Sequence, residues 1–117
     1  MAYDVPPPEE LPEPGYYYHF KRDPNGPLNN YAYYIYGVGH HTEEDSRPED
    51  AFMQVYRPLY AEAYAYRNGG LFDLRPLHMF YKPAYWKGRE VPRYTRITDP
   101  NVIAQLEVIK LSMYPNP

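Results

Sequence analysis

The chain has 117 residues and no cysteine, which allows one small core and excludes disulfides, thiolate metal sites and a cysteine nucleophile together. It holds no run of 18 apolar residues, and its start, MAYDVPPPEE, lacks the basic-then-apolar order of a secretory signal, so a cytoplasmic protein without a membrane partner is expected. The formal charge of -3 and a pI near 5.8 argue against a general nucleic-acid binder.

The acid is unevenly spread. Asp4, Glu9, Glu10 and Glu13 stand near the start, and Glu43, Glu44, Asp45, Glu49 and Asp50 in one stretch, so the rest is close to neutral or slightly basic. A local anion site is compatible with that distribution. The outlier is tyrosine, 16 residues against 4 Phe and 1 Trp. A dry core would use Phe, Leu or Val; so many hydroxylated rings imply half-wet surfaces such as pocket walls, an oligomer interface or a stacking platform.

Residues 1–14, MAYDVPPPEELPEP, are proline-rich and acidic and read as an extended or disordered arm. A β domain is expected over 15–97. Its first strand is GYYYHFKR, where Tyr16, Tyr18 and Phe20 share one face and Tyr17, His19 and Lys21 the other; DPNG then marks a turn. NYAYYIYGVGHH is the second strand, with Gly37 and Gly39 marking a bulge or sharp bend. After the charged stretch TEEDSRPED, a third strand is expected in AFMQVYRPLYAEA and a fourth in GGLFDLRPLHMFYK. GREVPRYTRI is the fifth, following a turn at Lys87–Gly88.

The last piece, 98–117, differs. Asp99 suits an N-cap and Pro100 the first helical position, and Val102, Ile103, Leu106 and Ile109 follow a helical spacing, so a C-terminal helix and tail are expected, with a strand as the alternative. Together these segments predict a mostly β fold, a small single-domain barrel or strongly bent sheet of about five strands with a C-terminal helix.

Five ordered motifs resemble a bacterial and phage domain-of-unknown-function family, number sixteen fifty-three of its series. GYYYHFK supplies Gly15, Tyr17, His19, Phe20 and Lys21; YYIYGVGHHTE supplies Tyr33, Gly37, Val38, His41 and Glu43. VYRPLY supplies Val55, Tyr56, Arg57, Leu59 and Tyr60; RPLHMF supplies Arg75, Pro76, Leu77, Met79 and Phe80. VPRYTRI is similar to the closing segment, with Tyr94 in place of Phe. Tyr18 replaces the family's usual basic residue, and the loops after Lys21, around residues 46–51 and over 61–70 are longer than usual. The resemblance covers about residues 15–97 and implies a compact, mostly β domain; it brings no established activity.

The residues that carry chemistry are few. Arg57 and Arg75 each precede Pro-Leu, and Arg93 follows a proline; a proline that bends its strand can aim the arginine forks at a common anion. The plain alternative is a salt bridge between Arg75 and Glu43 or Asp73. His41 and Glu43 are two apart and would project to one side of a strand, as a hydrogen-bonded pair or two metal ligands, with Arg75 beside them. No HExxH spacing exists, and a third zinc ligand would have to come from His19, His40 or His78, so neither metal nor cofactor is expected. Ser46 and Ser112 stand in no nucleophile elbow.

The expected function is therefore non-enzymatic binding of a small anionic, nucleotide-like ligand in a pocket lined by Tyr18, His19, His41, Glu43, Tyr56, Arg57, Tyr60, Arg75 and Arg93; a homo-oligomer is expected with it, since small single-domain binders often place ligands between identical subunits. By analogy, its sharpest form is a phage protein that sequesters a nucleotide immune signal. Two other classes compete: a protein-interaction module using the Tyr-rich loops and the proline-rich arm, and a hydrolase with a His41/Glu43 base.

Overall fold

The computed structural model describes residues 11–43, 47, 50–60, 66, 70–80 and 82–114. Most of the expected arm, part of the acidic stretch and the end of the expected third strand lie outside the described residues. Among the described residues, seven strands form two antiparallel sheets: β1 (Gly15–His19), β2 (Ala32–His40), β3 (Phe52–Pro58), β4 (Asp73–Pro76), β5 (Ala84–Trp86), β6 (Arg89–Val91) and β7 (Tyr94–Arg96). Two helices are seen end to end among the described residues, α1 (Leu77–Phe80) and α2 (Pro100–Met113).

The main sheet has the order β4-β3-β2-β1-β7, an up-and-down meander to which β7 returns beside β1; β5 and β6 form a separate hairpin. The sheet is open, with β4 and β7 as its edges, so of the two expected forms the bent sheet holds and the barrel does not. β2 bulges between Ile35 and Gly37, where the register with β3 shifts. Gly37 has φ +155°, and a Cβ there would meet nothing within 4 Å, so glycine is needed for its backbone and not for space.

Two expected strands change form. The apolar-polar alternation of GGLFDLRPLHMFYK is a strand only over β4; Pro76 closes the ladder at the sheet edge, and Leu77 and Phe80, three residues apart, turn inward together as α1. GREVPRYTRI splits at Pro92. Its first part pairs with β5 across a two-residue turn in which Lys87 (φ 53°) and Gly88 (φ 76°) both take positive φ, the pattern of a type I′ hairpin; its second part joins the main sheet.

One face of the sheet is covered by α2. The Asp99 side chain accepts the Asn101 amide at 2.9 Å, Pro100 follows, and the Tyr114 amide closes the helix on the Lys110 carbonyl. Leu106 and Met113 then pack with Tyr16, Ala32, Leu59, Ile97 and Tyr114, and Leu106 is wholly buried. Full burial of such a side chain contributes about 1.5–3 kcal/mol. Among the described residues the opposite face has no long helix over it, and its apolar cluster is mostly tyrosine: Tyr17, Tyr33, Ile35, Tyr56 and Phe80, with Tyr94 against them.

Candidate functional site

Antiparallel register decides which side chains meet on that second face. Tyr17 stands opposite Tyr33 and Arg96, His19 opposite Tyr94, Ile35 opposite Tyr56, Tyr56 opposite Asp73 and Gln54 opposite Arg75. Directly paired residues project to the same side, so this face gathers phenols, one imidazole, Asp73 and two arginines, Arg75 and the Glu13-paired Arg96, from five strands.

Tyr33 is the hub. Its ring lies edge-on to Tyr56 at 5.5 Å, Tyr60 at 5.6 Å and Tyr94 at 5.7 Å, and its hydroxyl shares a hydrogen bond with that of Tyr60. Phe80 reaches in from α1 and stacks flat on Tyr94, with centroids 4.4 Å and planes 5° apart. Burial, above all, pushes the Tyr33, Tyr56 and Tyr94 phenols up; the Tyr60 hydrogen bond adds to this at Tyr33 and the Asp73 charge at Tyr56. These groups are neutral hydroxyls at physiological pH, able to donate hydrogen bonds and not to act as bases.

Arg75, on the edge strand, has the Tyr56 and Tyr94 phenols as polar neighbours. Its Nε is buried with no hydrogen-bond partner. Among the described residues the ion pairs are Arg47–Asp50 and Arg96–Glu13, and Arg75 belongs to neither. Asp73 accepts a 2.6 Å hydrogen bond from the Tyr66 hydroxyl instead. A half-buried guanidinium with an unused donor is the strongest polar feature of this face.

His19 marks where the charges converge. Burial first, then Arg93, Lys21 and Arg75 in that order, together lower its pKa to about 4. Its Nδ1 accepts the Lys21 amide at 3.1 Å, leaving the proton of the neutral ring on Nε2. The ring stacks on Tyr31 at 5.5 Å and packs against Phe20 at 4.4 Å. Three cations that suppress a fourth beside stacked rings form a local positive field in an acidic chain.

Of the residues singled out in the sequence, the face unites His19, Tyr56, Tyr60 and Arg75, with Arg93 at its rim. Arg93 donates from Nε to the Lys82 carbonyl and lies 5.6 Å from the Phe20 ring centre. The others stand apart. Tyr18 points to the helix face, where its hydroxyl donates to the Leu28 carbonyl at 2.6 Å and Arg22 covers its ring. Arg57 is also on the helix face, 4% exposed, with its guanidinium 3.8 Å from Phe72 and 4.5 Å from Tyr114 and its Nε donating to the Leu71 carbonyl. It braces the chain at residues 71–72 against the end of α2. His41 and Glu43 are exposed beyond the end of β2, away from the strand positions that pair with Arg75.

Tyr31, Tyr33, Tyr94, Phe20 and Lys21 complete the site and were not among the expected ligands. Tyr33 and Tyr94 were within reach of strand alternation, since they share a parity with their neighbours in each run; which strands pair was not. Among the described residues no group of three or more His, Asp or Glu is gathered closely enough to hold a metal ion. A cleft of about 360 Å³, which shares Tyr60 with this face, opens between α2 and the end of β3; it is lined largely by Leu59, Tyr60, Val108 and Met113, and no Lys, Arg or His side chain lines it.

No family model, curated protein or solved structure matches the chain. The site's chemistry therefore rests on its own residues.

Proposed function

We propose that the protein binds a small planar anion of the nucleotide kind on its tyrosine-rich face, without turning it over. The observation that carries this reading is that Lys21 and Arg93 lie 6.0 and 5.6 Å from the centre of the Phe20 ring, which packs on His19, while Arg75 stands by the Tyr56 and Tyr94 phenols, beside rings that stay partly open to solvent. The cations suit a phosphate, Arg75 through a fork with a free donor; Tyr31 and Tyr60, 38% and 40% exposed, offer stacking faces for a base. The neutral phenols supply hydrogen-bond donors that fix orientation. In its most specific form the proposal is a phage protein that sequesters a nucleotide signal, since holding such a ligand intact is what these groups do best. The likeness of the five motifs to the domain-of-unknown-function family belongs to the proposal and adds no activity to it.

The test is calorimetric titration with nucleoside monophosphates, the parent nucleosides and ribose 5-phosphate. A monophosphate is expected to bind at least tenfold more tightly than either fragment, and Arg75→Gln and Tyr31→Ala each to weaken it about tenfold. Equal affinity for nucleoside and monophosphate, or no binding of any monophosphate, contradicts the reading.

One observation favours a second reading, self-association. Ala104, Val108 and Leu111 form an outward stripe on α2, with Val108 68% and Leu111 54% exposed. Sedimentation of the full chain decides it: a dimer that Leu111→Glu converts to monomer supports association through this stripe, and a wild-type monomer refutes it.

A further inference from the structure

From the face just described, exposed and half-buried rings continue in one unbroken series. Tyr60 meets Tyr31 at 5.7 Å, Tyr31 meets His19 at 5.5 Å, His19 meets Phe20 at 4.4 Å and Phe20 meets Trp86 at 5.6 Å. Trp86, 39% exposed, sits on the β5–β6 hairpin, so the series runs from the end of β3 across both ends of the β1–β2 connection to a different sheet. Cations accompany its far end: Lys21 and Arg93 lie 6.0 and 5.6 Å from the Phe20 ring centre, and Lys87 lies 6.0 Å from that of Trp86.

Two further facts set this series apart from ordinary packing. Tyr31 has φ +50°, a left-handed conformation that a residue with a side chain rarely adopts and that costs about 1–3 kcal/mol, and it is kept at an exposed ring instead of a core one. The segments that carry most of the series, residues 15–40 and 82–97, hold seven Lys or Arg against two Asp or Glu, although the whole chain is acidic. Charge and rings together select a ligand with repeated phosphates and repeated unpaired bases.

We infer that the ring series from Tyr60 to Trp86 is a binding path for single-stranded nucleic acid, on which successive bases stack while Lys21, Lys87 and Arg93 meet the phosphates. The inference rests on the anion-binding reading above and extends it from one nucleotide to several. A duplex keeps its base faces against one another and so cannot use the rings; unpaired bases can, in a manner tolerant of sequence. Neutralised phosphates release counterions, so affinity falls as salt rises.

Trp86 is the sole tryptophan, so its fluorescence reports on the path directly. The experiment titrates the full chain with oligothymidylates of two, four and eight nucleotides, with thymidine monophosphate, and with an eight-base-pair duplex, each at two salt concentrations. The expected result is quenching by the single strands, with the eight-nucleotide strand bound at least tenfold more tightly than the monophosphate and the duplex bound more weakly. Anisotropy of a labelled eight-nucleotide strand should show Trp86→Ala weakening it about tenfold, the effect of one lost base stack, while monophosphate affinity in calorimetry is unchanged. If the monophosphate binds but length adds nothing, or if Trp86→Ala leaves the long strand unaffected, the path is overturned and the single-nucleotide site stands. If neither monophosphate nor strand binds, both fall.

Discussion

Arg57 and Arg75 each precede a proline at the end of a strand, yet their guanidinium groups lie on opposite faces of one sheet. Arg75 pairs in register with Gln54, which shares a face with Tyr56, and Arg57 alternates to the other side. One arginine is packed between Phe72 and Tyr114; the other stands among phenols with a donor unused. The shared Arg-Pro-Leu phrase thus has two settings, one of support in the packed face and one that the proposed function uses for binding.

Arg57→Ala should therefore act on stability. It removes the donor to the Leu71 carbonyl and the cation between two rings in a site 4% exposed, which is expected to destabilise the fold by about 2–4 kcal/mol. Urea unfolding measures this. Arg75→Gln, at a half-buried edge position, should shift the same midpoint by less than about 1 kcal/mol.

The pH dependence has a definite sign. The pKa of His19 in the folded protein, about 4, lies below its ordinary value of 6.5, so the unfolded chain takes up a proton first. Stability is fully present above pH 6.5 and is lost as pH falls towards 4. Thermal unfolding between pH 7 and 4 should show this slope, and His19→Gln should flatten it. An NMR titration of the His19 ring that turns over near 6.5 would contradict the assignment.

Phe80→Ala removes the ring that stacks on Tyr94 and the only fully covered aromatic of α1. It should cost about 3–4 kcal/mol, and Phe80→Leu markedly less, by urea unfolding.

Gly37 and Gly39 separate backbone from space. Gly37→Ala meets no atom but inherits φ +155°, so about 1–2 kcal/mol should be lost; Gly39→Ala makes an ordinary 3.5 Å contact with Val55 and should be close to neutral.

Local signals in the sequence were read with most success where one residue type governs one backbone state. Asp99 and Pro100 start α2, Lys87–Gly88 turn the hairpin, and Gly37 bulges β2, because each choice is decided within a few residues. The split of β1 into Tyr16 and Tyr18 against Tyr17 and His19 was equally legible from alternation. Which of those two faces receives α2 was not, since tyrosine is apolar enough for either; Tyr18 consequently falls with the helix and His19 with the site. The pairing of β7 with β1 depends on a return across the whole sheet, so Tyr94 could not be placed beside His19 from the chain alone. His41 and Glu43 share a parity with each other, but β2 ends at His40 before that parity can be used.

Native mass spectrometry of the full chain with a mixture of nucleoside monophosphates tests the central claim most directly. One monophosphate per chain is expected on the wild-type protein, lost in Arg75→Gln while its urea midpoint stays close to that of the wild type. A wild-type protein that remains at its bare mass, or an adduct that Arg75→Gln retains in full, would contradict the assignment of the tyrosine-rich face as an anion site.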